Sequence, residues 1–328
     1  MSNNMDSGCE IMPRKLLLKN FQVPGDIVML TATIRDLHAL HPGHFLTDVR
    51  TSAPDLWLHN PHLTAFDEAD PEVLHIDCHY PLIHQSNQRP YHFIHGFMEY
   101  LGERLGVPVV PLQFRGDIHL KASERQIPEK FALLEELKSP FWIIVAGGKF
   151  DFTTKWWAPE RFQHVVDYFQ GRIRFVQVGE AGHHHPPLRG VTDLRGQTSL
   201  RELVRLVYHA QGVLCPVTLL MHLAAAVPTK DSLFPLRPCV VVAGGREPPH
   251  WEAYPAHQFI HTVGMLECCR DGGCWRSRVL PIGDGDEKDF VGLCADVVGQ
   301  LPHCMHMITP EHVIARIEGY FQGGALPR

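Results

Sequence analysis

The sequence is short of several things. No apolar run approaches the roughly 18 residues that cross a bilayer, so no membrane-spanning helix is expected. Basic residues do not predominate: Lys and Arg total 30 against 36 Asp and Glu, a formal charge of -6. Nucleic acid is therefore not the expected partner. No GxGxxG follows a first strand and there is no Walker loop, which counts against ordinary dehydrogenase and NTPase readings. No low-complexity segment or strong internal repeat stands out. Residues 1–14 are polar and lack the apolar centre of a signal peptide, so the expected location is cytoplasmic.

What is present describes a globular enzyme-sized chain. Its 328 residues exceed one ordinary core, which points to two domains. Strand and helix signals alternate. Leu16-Leu17-Leu18 reads as a first strand, broken at Pro24-Gly25-Asp26. Ile27, Leu30, Ile34 and Leu37 then recur at helical spacing. Residues 45–49 and 73–77 read as strands, and residues 91–105 and 130–137 as helices. Lys138-Ser139-Pro140 looks like a linker. Beyond it the alternation restarts, with strands expected at 141–146, 173–178, 191–195, 212–215 and 239–243. Helices are expected at 159–169, 199–209, 218–227 and 309–321. Two doubly wound halves make a bilobal α/β protein, with ligands expected beyond the carboxyl ends of the strands.

Several constellations could carry chemistry there. Asp26, where the first helix begins, reads either as a base taking a proton from an attacking hydroxyl or as a helix cap. Lys155, in the loop after the strand at 141–146, reads as a neutraliser of a diphosphate leaving group or as a solvated lysine. Thr218 can cap a small-residue helix whose free N–H groups suit phosphate, with Met221 and His222 following. Gly179-Glu180 and Gly196-Gln197-Thr198, after neighbouring strands, would let a planar base approach the backbone. Arg246 and Glu247 follow another strand and read as ligand contacts or as a surface turn. His183-His184-His185 reads as a solvated loop.

Cysteine is the unusual component. Five of nine fall in residues 268–304. In a reducing compartment such a cluster points to metal. Cys269, Cys274, Cys294 and Cys304 could supply four thiolates, a set that suits structural zinc or iron, with Cys268 an alternative to Cys269. Four thiolates leave no open coordination position, so no catalytic metal is expected.

In order along the chain, Leu16-Leu17-Leu18-Lys19…Gly25-Asp26, Lys155-Trp156…Pro159-Glu160-Arg161-Phe162, Leu194-Arg195-Gly196-Gln197-Thr198-Ser199-Leu200 and Thr218…Met221-His222-Leu223-Ala224-Ala225-Ala226 resemble glycosyltransferase family 9, the ADP-heptose heptosyltransferases. The resemblance implies a GT-B fold, two Rossmann-like domains facing a cleft. Residues 1–137 would form the acceptor domain, and residues 138–328 the nucleotide-sugar domain with a Cys-rich excursion near 264–306. It implies inverting, metal-independent transfer of a sugar, heptose by the family's habit, from a nucleotide-diphosphate donor to an acceptor hydroxyl. The acceptor would be a protein serine, a lipopolysaccharide core sugar or a small molecule, bound near residues 81–97 and Arg115 or Lys121. Asp26 matches the family's base and Lys155 its diphosphate lysine. Thr218, Met221 and His222 match its phosphate helix, and residues 179–200 its adenine pocket. The cysteine segment is similar to the four-cysteine iron site of autotransporter heptosyltransferases, and a homo-oligomer is possible. One departure stands out. The family's Asn-Asp-Thr-Gly-Pro is Pro216-Val217-Thr218-Leu219-Leu220 here, without the aspartate and glycine, and Arg246 and Glu247 are candidates to compensate. Two further readings remain open: a nucleotide-sugar-binding or assembly protein without turnover, and a sugar-nucleotide epimerase.

Overall fold

A computed structural model describes residues 12–132, 134, 140–231, 233, 235–280 and 292–326. It holds two parallel sheets. The first is built from β1 (Arg14–Asn20), β2 (Phe45–Thr51) and β3 (Val73–Asp77) in the order β2-β1-β3. Leu17 sits opposite Asp48 on one side and His75 on the other. Leu16, Leu17 and Leu18 are all fully buried, as a central parallel strand covered on both faces requires. The helix α1 (Pro24–Leu40) follows β1, and α2 (Phe93–Leu105) follows β3 after a 3-10 turn at Pro81–Gln85. Every residue of α1 from Gly25 to Ile34 is buried. An all-round buried helix must have partners on several sides, and α1 packs against α2, β2 and a helix of the second half.

The second sheet contains β4 (Phe141–Ile144), β5 (Arg174–Gln177), β6 (Thr192–Asp193), β7 (Gly212–Pro216), β8 (Cys239–Gly244) and β9 (His257–His261). Its order, β6-β5-β4-β7-β8-β9, is the doubly wound arrangement in which the strand order reverses between β4 and β7. Alternate residues separate the two faces. Ile143, Val213, Cys215 and Val241 join the core shared with the first half. Trp142, Ile144, Leu214 and Val240 pack on the other side with α3 (Pro159–Tyr168) and the terminal helix. Further helices are α4 (Leu200–His209), α5 (Leu219–Ala226), α6 (Pro249–Glu252), α7 (His303–His306) and α8 (Pro310–Gln322).

Element placement follows the expected alternation, with a few local additions. β9 is an unanticipated edge strand; His257-Gln258-Phe259-Ile260-His261 is too polar to announce itself, and among the described residues it pairs only with β8. The helix expected at 130–137 is entered through a 3-10 turn at Glu129–Phe131, and Ala132 and Leu134, its described residues beyond that turn, are α-helical. Residues 135–139 lie outside the described set, and with them the expected boundary at 137/138. The excursion near 264–306 is not featureless, since it carries a 3-10 turn at Glu267–Cys269 and a hairpin of β10 (Val297–Val298) with β11 (Leu301–Pro302).

One hydrophobic cluster runs through both halves, from Leu16 and Ile27 to Met221 and Val241. Gly116 lies in a close approach between them: a Cβ there would stand 2.5 Å from Val28 of α1 and 2.9 Å from Ala226 of α5. Polar contacts add to it. Arg201 of α4 pairs with Glu124 at 2.6 Å and donates to the His119 carbonyl at 2.7 Å.

Candidate active site

The carboxyl ends of β1, β4, β7 and β8 deliver one group of charged side chains. After β1, helix α1 begins at Pro24, whose fixed φ suits a first turn. Val23 occupies the cap position, and Asp26, the third helical residue, reaches back to accept the Val23 N–H at 3.2 Å. Asp26 is 8% exposed. Burial pushes its carboxyl up from an ordinary 3.8 to about 6. The Val23 N–H, the charges of Lys155 and Lys149 and the Tyr80 hydroxyl all pull the other way. Asp26 therefore caps a helix and is also a buried carboxyl poised near neutrality, a setting that suits a general base.

Lys155 ends the 3-10 turn Phe150–Lys155, in the loop that β4 presents at the strand reversal. It is not a solvated lysine: its ammonium pairs with Glu247 at 2.8 Å. Glu247 also contacts Arg246. Both belong to the loop after β8, and at 8% and 2% exposure they do not form a surface turn. Burial raises the Glu247 carboxyl, but Arg246 and Lys155 outweigh it and hold the group below its ordinary value. Thr218 caps α5 as expected, accepting the Leu220 N–H at 3.3 Å.

His222 and Met221 divide. Met221 is fully buried and serves packing. His222 faces the first half: a Cβ on Gly25 would lie 3.2 Å from its ring, so the first turn of α1 and helix α5 approach closely there. Its Nδ1 lies 2.6 Å from the Tyr254 hydroxyl, which donates onward to Met29 Sδ at 3.1 Å. Burial pushes the imidazole down to about 3 and keeps it neutral. Its Nε2 stands 3.9 Å from Glu252 Oε2.

The expected base pocket looks different. Gly196 donates to the Gly179 carbonyl at 2.7 Å, so these turns do lie together. The space over Gly179, however, holds His185: a Cβ at Gly179 would stand 2.5 Å from its ring. Glu180 is exposed and pairs with His183 at 3.4 Å, and Thr198 is half-buried. The histidine run is not a solvated loop. His184 exchanges backbone hydrogen bonds with Gly148 and stacks on Trp156 with centroids 4.0 Å apart. Arg115 also departs from expectation. Its carbonyl accepts Arg35 of α1, and it lines a cavity of about 160 Å³ beside Ala224 and Ala225, at the far ends of α1 and α5 from Asp26 and Thr218.

Sequence reasoning missed Tyr80, Lys149 and Glu252. Lys149 sits in the Gly147-Gly148-Lys149 turn, where adjacent glycines were the available signal. Tyr80 is brought to Asp26 because Gly96 lets α2 lie against it; a Cβ there would stand 2.6 Å from Tyr80 Cβ.

The thiols of the late segment share one neighbourhood around Gly244 and Gly245. A Cβ on Gly245 would meet Cys269 Sγ at 3.0 Å and Cys304 Cβ at 3.3 Å, and the Cys274 N–H donates to the Gly245 carbonyl at 3.1 Å. Burial, then the nearby Cys274, Cys294 and Cys269 thiols, push the Cys304 thiol up to about 11. Cys269 is buried, whereas Cys268 is exposed. The sulfur donor set fits zinc or iron in kind. Among the described residues, however, no three His, Cys, Asp or Glu side chains are gathered as a metal-holding group.

Comparison with known proteins adds to this geometry. The family described as glycosyltransferase family 9 (heptosyltransferase) matches residues 84–234. That span contains Lys155, Gly179, Thr218 and His222, and lies between Asp26 and the cysteines of residues 268–304. No curated protein sequence matches. Among solved structures, the glycosyl transferase family 9 protein from Veillonella parvula DSM 2008 superposes with a TM-score of 0.65 at 14% identity, covering 96% of this chain and 99% of that one. The bacterial iron-containing dodecameric glycosyltransferase TibC from enterotoxigenic E. coli H10407 gives 0.62 at 17% identity, covering 96% and 78%. TibC is also solved in complex with ADP-D-beta-D-heptose. E. coli ADP-heptose lps heptosyltransferase II gives 0.54 at 16% identity, covering 95% and 100%. At such identities the structural likeness speaks for the fold. With a glycosyltransferase family 9 domain matched over residues 84–234 and parallel α/β sheets arranged as in GT-B heptosyltransferases, the chain is a glycosyltransferase.

Proposed function

We propose that the chain is an inverting glycosyltransferase that moves a sugar, heptose, from ADP-heptose to an acceptor hydroxyl. The observation that carries this is Asp26, a buried carboxyl held near pH 6 at the end of β1, within electrostatic reach of Lys155 from the opposite sheet. In the reaction the acceptor hydroxyl gives its proton to ionised Asp26. Its oxygen bonds to the anomeric carbon from the face opposite the leaving group. The anomeric carbon–oxygen bond breaks, and ADP departs with the electron pair. Lys155 and the free N–H groups at the start of α5 stabilise the charge gathering on the diphosphate. Lys155 is held by Glu247 in this structure, so an arriving diphosphate shares or displaces that pair.

The base end of the donor would enter by Gly179, Glu180, Gly196 and Thr198, with His185 moving aside. Residues 1–137 would serve the acceptor and residues 138–328 the donor. Cys269, Cys274, Cys294 and Cys304 would hold a structural iron or zinc ion, which would supply a rigid cross-link to the late segment and no step of the transfer. The thiol neighbourhood around Gly245 and the burial of Cys269 support this set over one with Cys268.

The test pairs calorimetry with a transfer assay. Asp26→Asn should bind ADP within a few-fold of the unsubstituted protein yet lose transfer from ADP-heptose. Full transfer by that variant sinks the assignment. A second reading, a nucleotide-sugar-binding protein without turnover, draws on the Lys155–Glu247 pair and on His185 over Gly179. ADP binding with neither transfer nor donor hydrolysis in the unsubstituted protein would favour it.

A further inference from the structure

Two carboxyl oxygens in the cleft have no use in the chemistry just described. Glu247 Oε2 and Glu252 Oε2 are both buried and have no hydrogen-bond partner in the structure. Their residues are 2% and 6% exposed. Leaving a buried polar oxygen unpaired costs about 1–3 kcal/mol, so such atoms ask for an explanation. Both are fixed on a firm support. Glu247 is pinned through its other oxygen by Lys155 and Arg246. Glu252 ends α6, whose Trp251 stacks on Phe93 of the first half with centroids 5.2 Å apart. His250, in the same short helix, bonds the Ser86 carbonyl at 2.6 Å.

The surroundings place these oxygens where a donor would lie. Glu252 interacts electrostatically with Glu247, Lys155, Arg246 and Asp26, and its Oε2 stands 3.9 Å from His222 Nε2. It is thus among the proposed base, the diphosphate lysine and the helix that carries Thr218. The end of β7 offers little to a sugar, because Pro216 and the following Val217 are buried and bear no hydrogen-bonding side chain, and the Thr218 hydroxyl is engaged in capping α5. The loop after the adjacent strand β8 supplies the polar groups instead.

Given the nucleotide-sugar reading, on which this assignment rests, we propose that Glu252 and Glu247 are the specificity pair that reads hydroxyl groups of the donor's sugar. Their protonation states complement each other. Burial first, and then the Glu247 charge, push the Glu252 carboxyl up to about 8, so at neutral pH it offers an O–H. Glu247, held ionised by Arg246 and Lys155, only accepts. A sugar hydroxyl, or a neighbouring pair of them, donates to Glu247 and accepts from Glu252. The groups facing Glu252 are Asp26 of α1, His222 of α5, Lys155 after β4, Arg246 and Glu247 after β8, and Tyr254 beyond α6. An acidic ligand group would meet two carboxyls here, so the match is to a neutral polyhydroxylated sugar.

The experiment is calorimetry at pH 7 with two probes, ADP and ADP-heptose, on the unsubstituted protein, Glu252→Leu and Glu252→Gln. Glu252→Leu should weaken ADP-heptose about 10- to 100-fold, the equivalent of one or two lost buried hydrogen bonds, while ADP changes less than about threefold. Glu252→Gln, neutral and still a donor, should recover most of that loss. Parallel weakening of both probes by Glu252→Leu, or an unchanged ratio between them, overturns the assignment and leaves Glu252 a packing residue. Glu252→Gln behaving like Glu252→Leu also overturns it, because the O–H role is then wrong. If the unsubstituted protein binds neither probe, the nucleotide-sugar reading falls and this assignment with it. ADP binding that survives in every variant keeps the two failures apart.

Discussion

Asp26→Asn should make the protein more stable while making it inactive, and the size of both effects follows from one carboxyl. Asp26 is 8% exposed, and burial lifts its carboxyl from 3.8 to about 6. A folded-state value above the unfolded one means the folded chain holds the proton more tightly. Stability is then undiminished below about pH 4, and falls as pH rises until Asp26 is ionised in both states above about pH 6. The full penalty is about 3 kcal/mol at pH 8, and roughly half of that at pH 5. Asparagine carries no charge to desolvate, and its side-chain oxygen can still accept the Val23 N–H. Denaturant unfolding of both proteins at pH 5 and pH 8 should therefore show the variant ahead at both, with its lead about doubling at pH 8. Transfer should fall by about 10²- to 10⁴-fold, the usual contribution of a positioned base. In the unsubstituted protein kcat/KM should rise as pH rises through about 6. A variant no more stable at pH 8 than its parent would refute the buried-carboxyl account, whatever happens to activity.

Other substitutions probe neighbouring parts of the same cleft. Lys155→Met removes a positive charge that lowers the Asp26 carboxyl, so the acidic limb of the kcat/KM profile should move to higher pH as kcat falls; an unmoved limb would separate the two residues. Thr218→Val should cost about 1 kcal/mol in unfolding experiments through loss of the α5 cap and should weaken ADP binding, with Thr218→Ser recovering both. Elemental mass spectrometry should find about one iron or zinc per chain, lost in Cys304→Ser and kept in Cys268→Ser. Chelation should then lower the unfolding midpoint. A metal-free preparation with an unchanged midpoint would remove the metal from the account.

The sheets were legible because parallel strands buried on both faces write unbroken apolar runs. Leu16-Leu17-Leu18 and Val240-Val241-Val242 are such runs, and both are strands. His257–His261 is a strand too, but an edge strand needs no such run, and only its pairing with β8 defines it. Glycines proved ambiguous for a related reason. Gly25 and Gly179 both permit close approach, but sequence does not say of what. At Gly25 the approaching group is His222 of the opposite half; at Gly179 it is His185, on the turn where a nucleotide base was expected. Glu247 and Glu252 were hardest to place, since a charged, proline-flanked stretch reads as surface. Contacts between residues far apart in sequence enclose them: Trp251, beside Glu252, packs on Phe93, and the Glu247 backbone lies against Gly273.

The late cysteine segment looked in sequence like an appendage held by its own staple. In the fold it braces the loops that carry Lys155 and Arg246. Thr154, next to Lys155, donates its hydroxyl to the Arg276 carbonyl at 2.7 Å and its backbone N–H to the Ser277 carbonyl at 3.2 Å. Thr153 accepts the Val279 N–H at 2.8 Å. Arg246 donates to the Arg276 carbonyl at 2.8 Å. On its other side Asn87 of the first half clasps Gly273, donating to its carbonyl at 2.9 Å and accepting its N–H at 3.0 Å. One short run, residues 273–279, thus touches the loop of Lys155, the Arg246–Glu247 loop and the opposite half. A cross-link at Cys274 would stiffen all three contacts at once. Metal loss should for that reason weaken donor binding as well as stability, and calorimetry with ADP before and after chelation would read the difference. A brace of this kind predicts weaker binding from loops set loose around an unchanged set of side chains; an independent staple predicts a lower unfolding midpoint and undisturbed affinity.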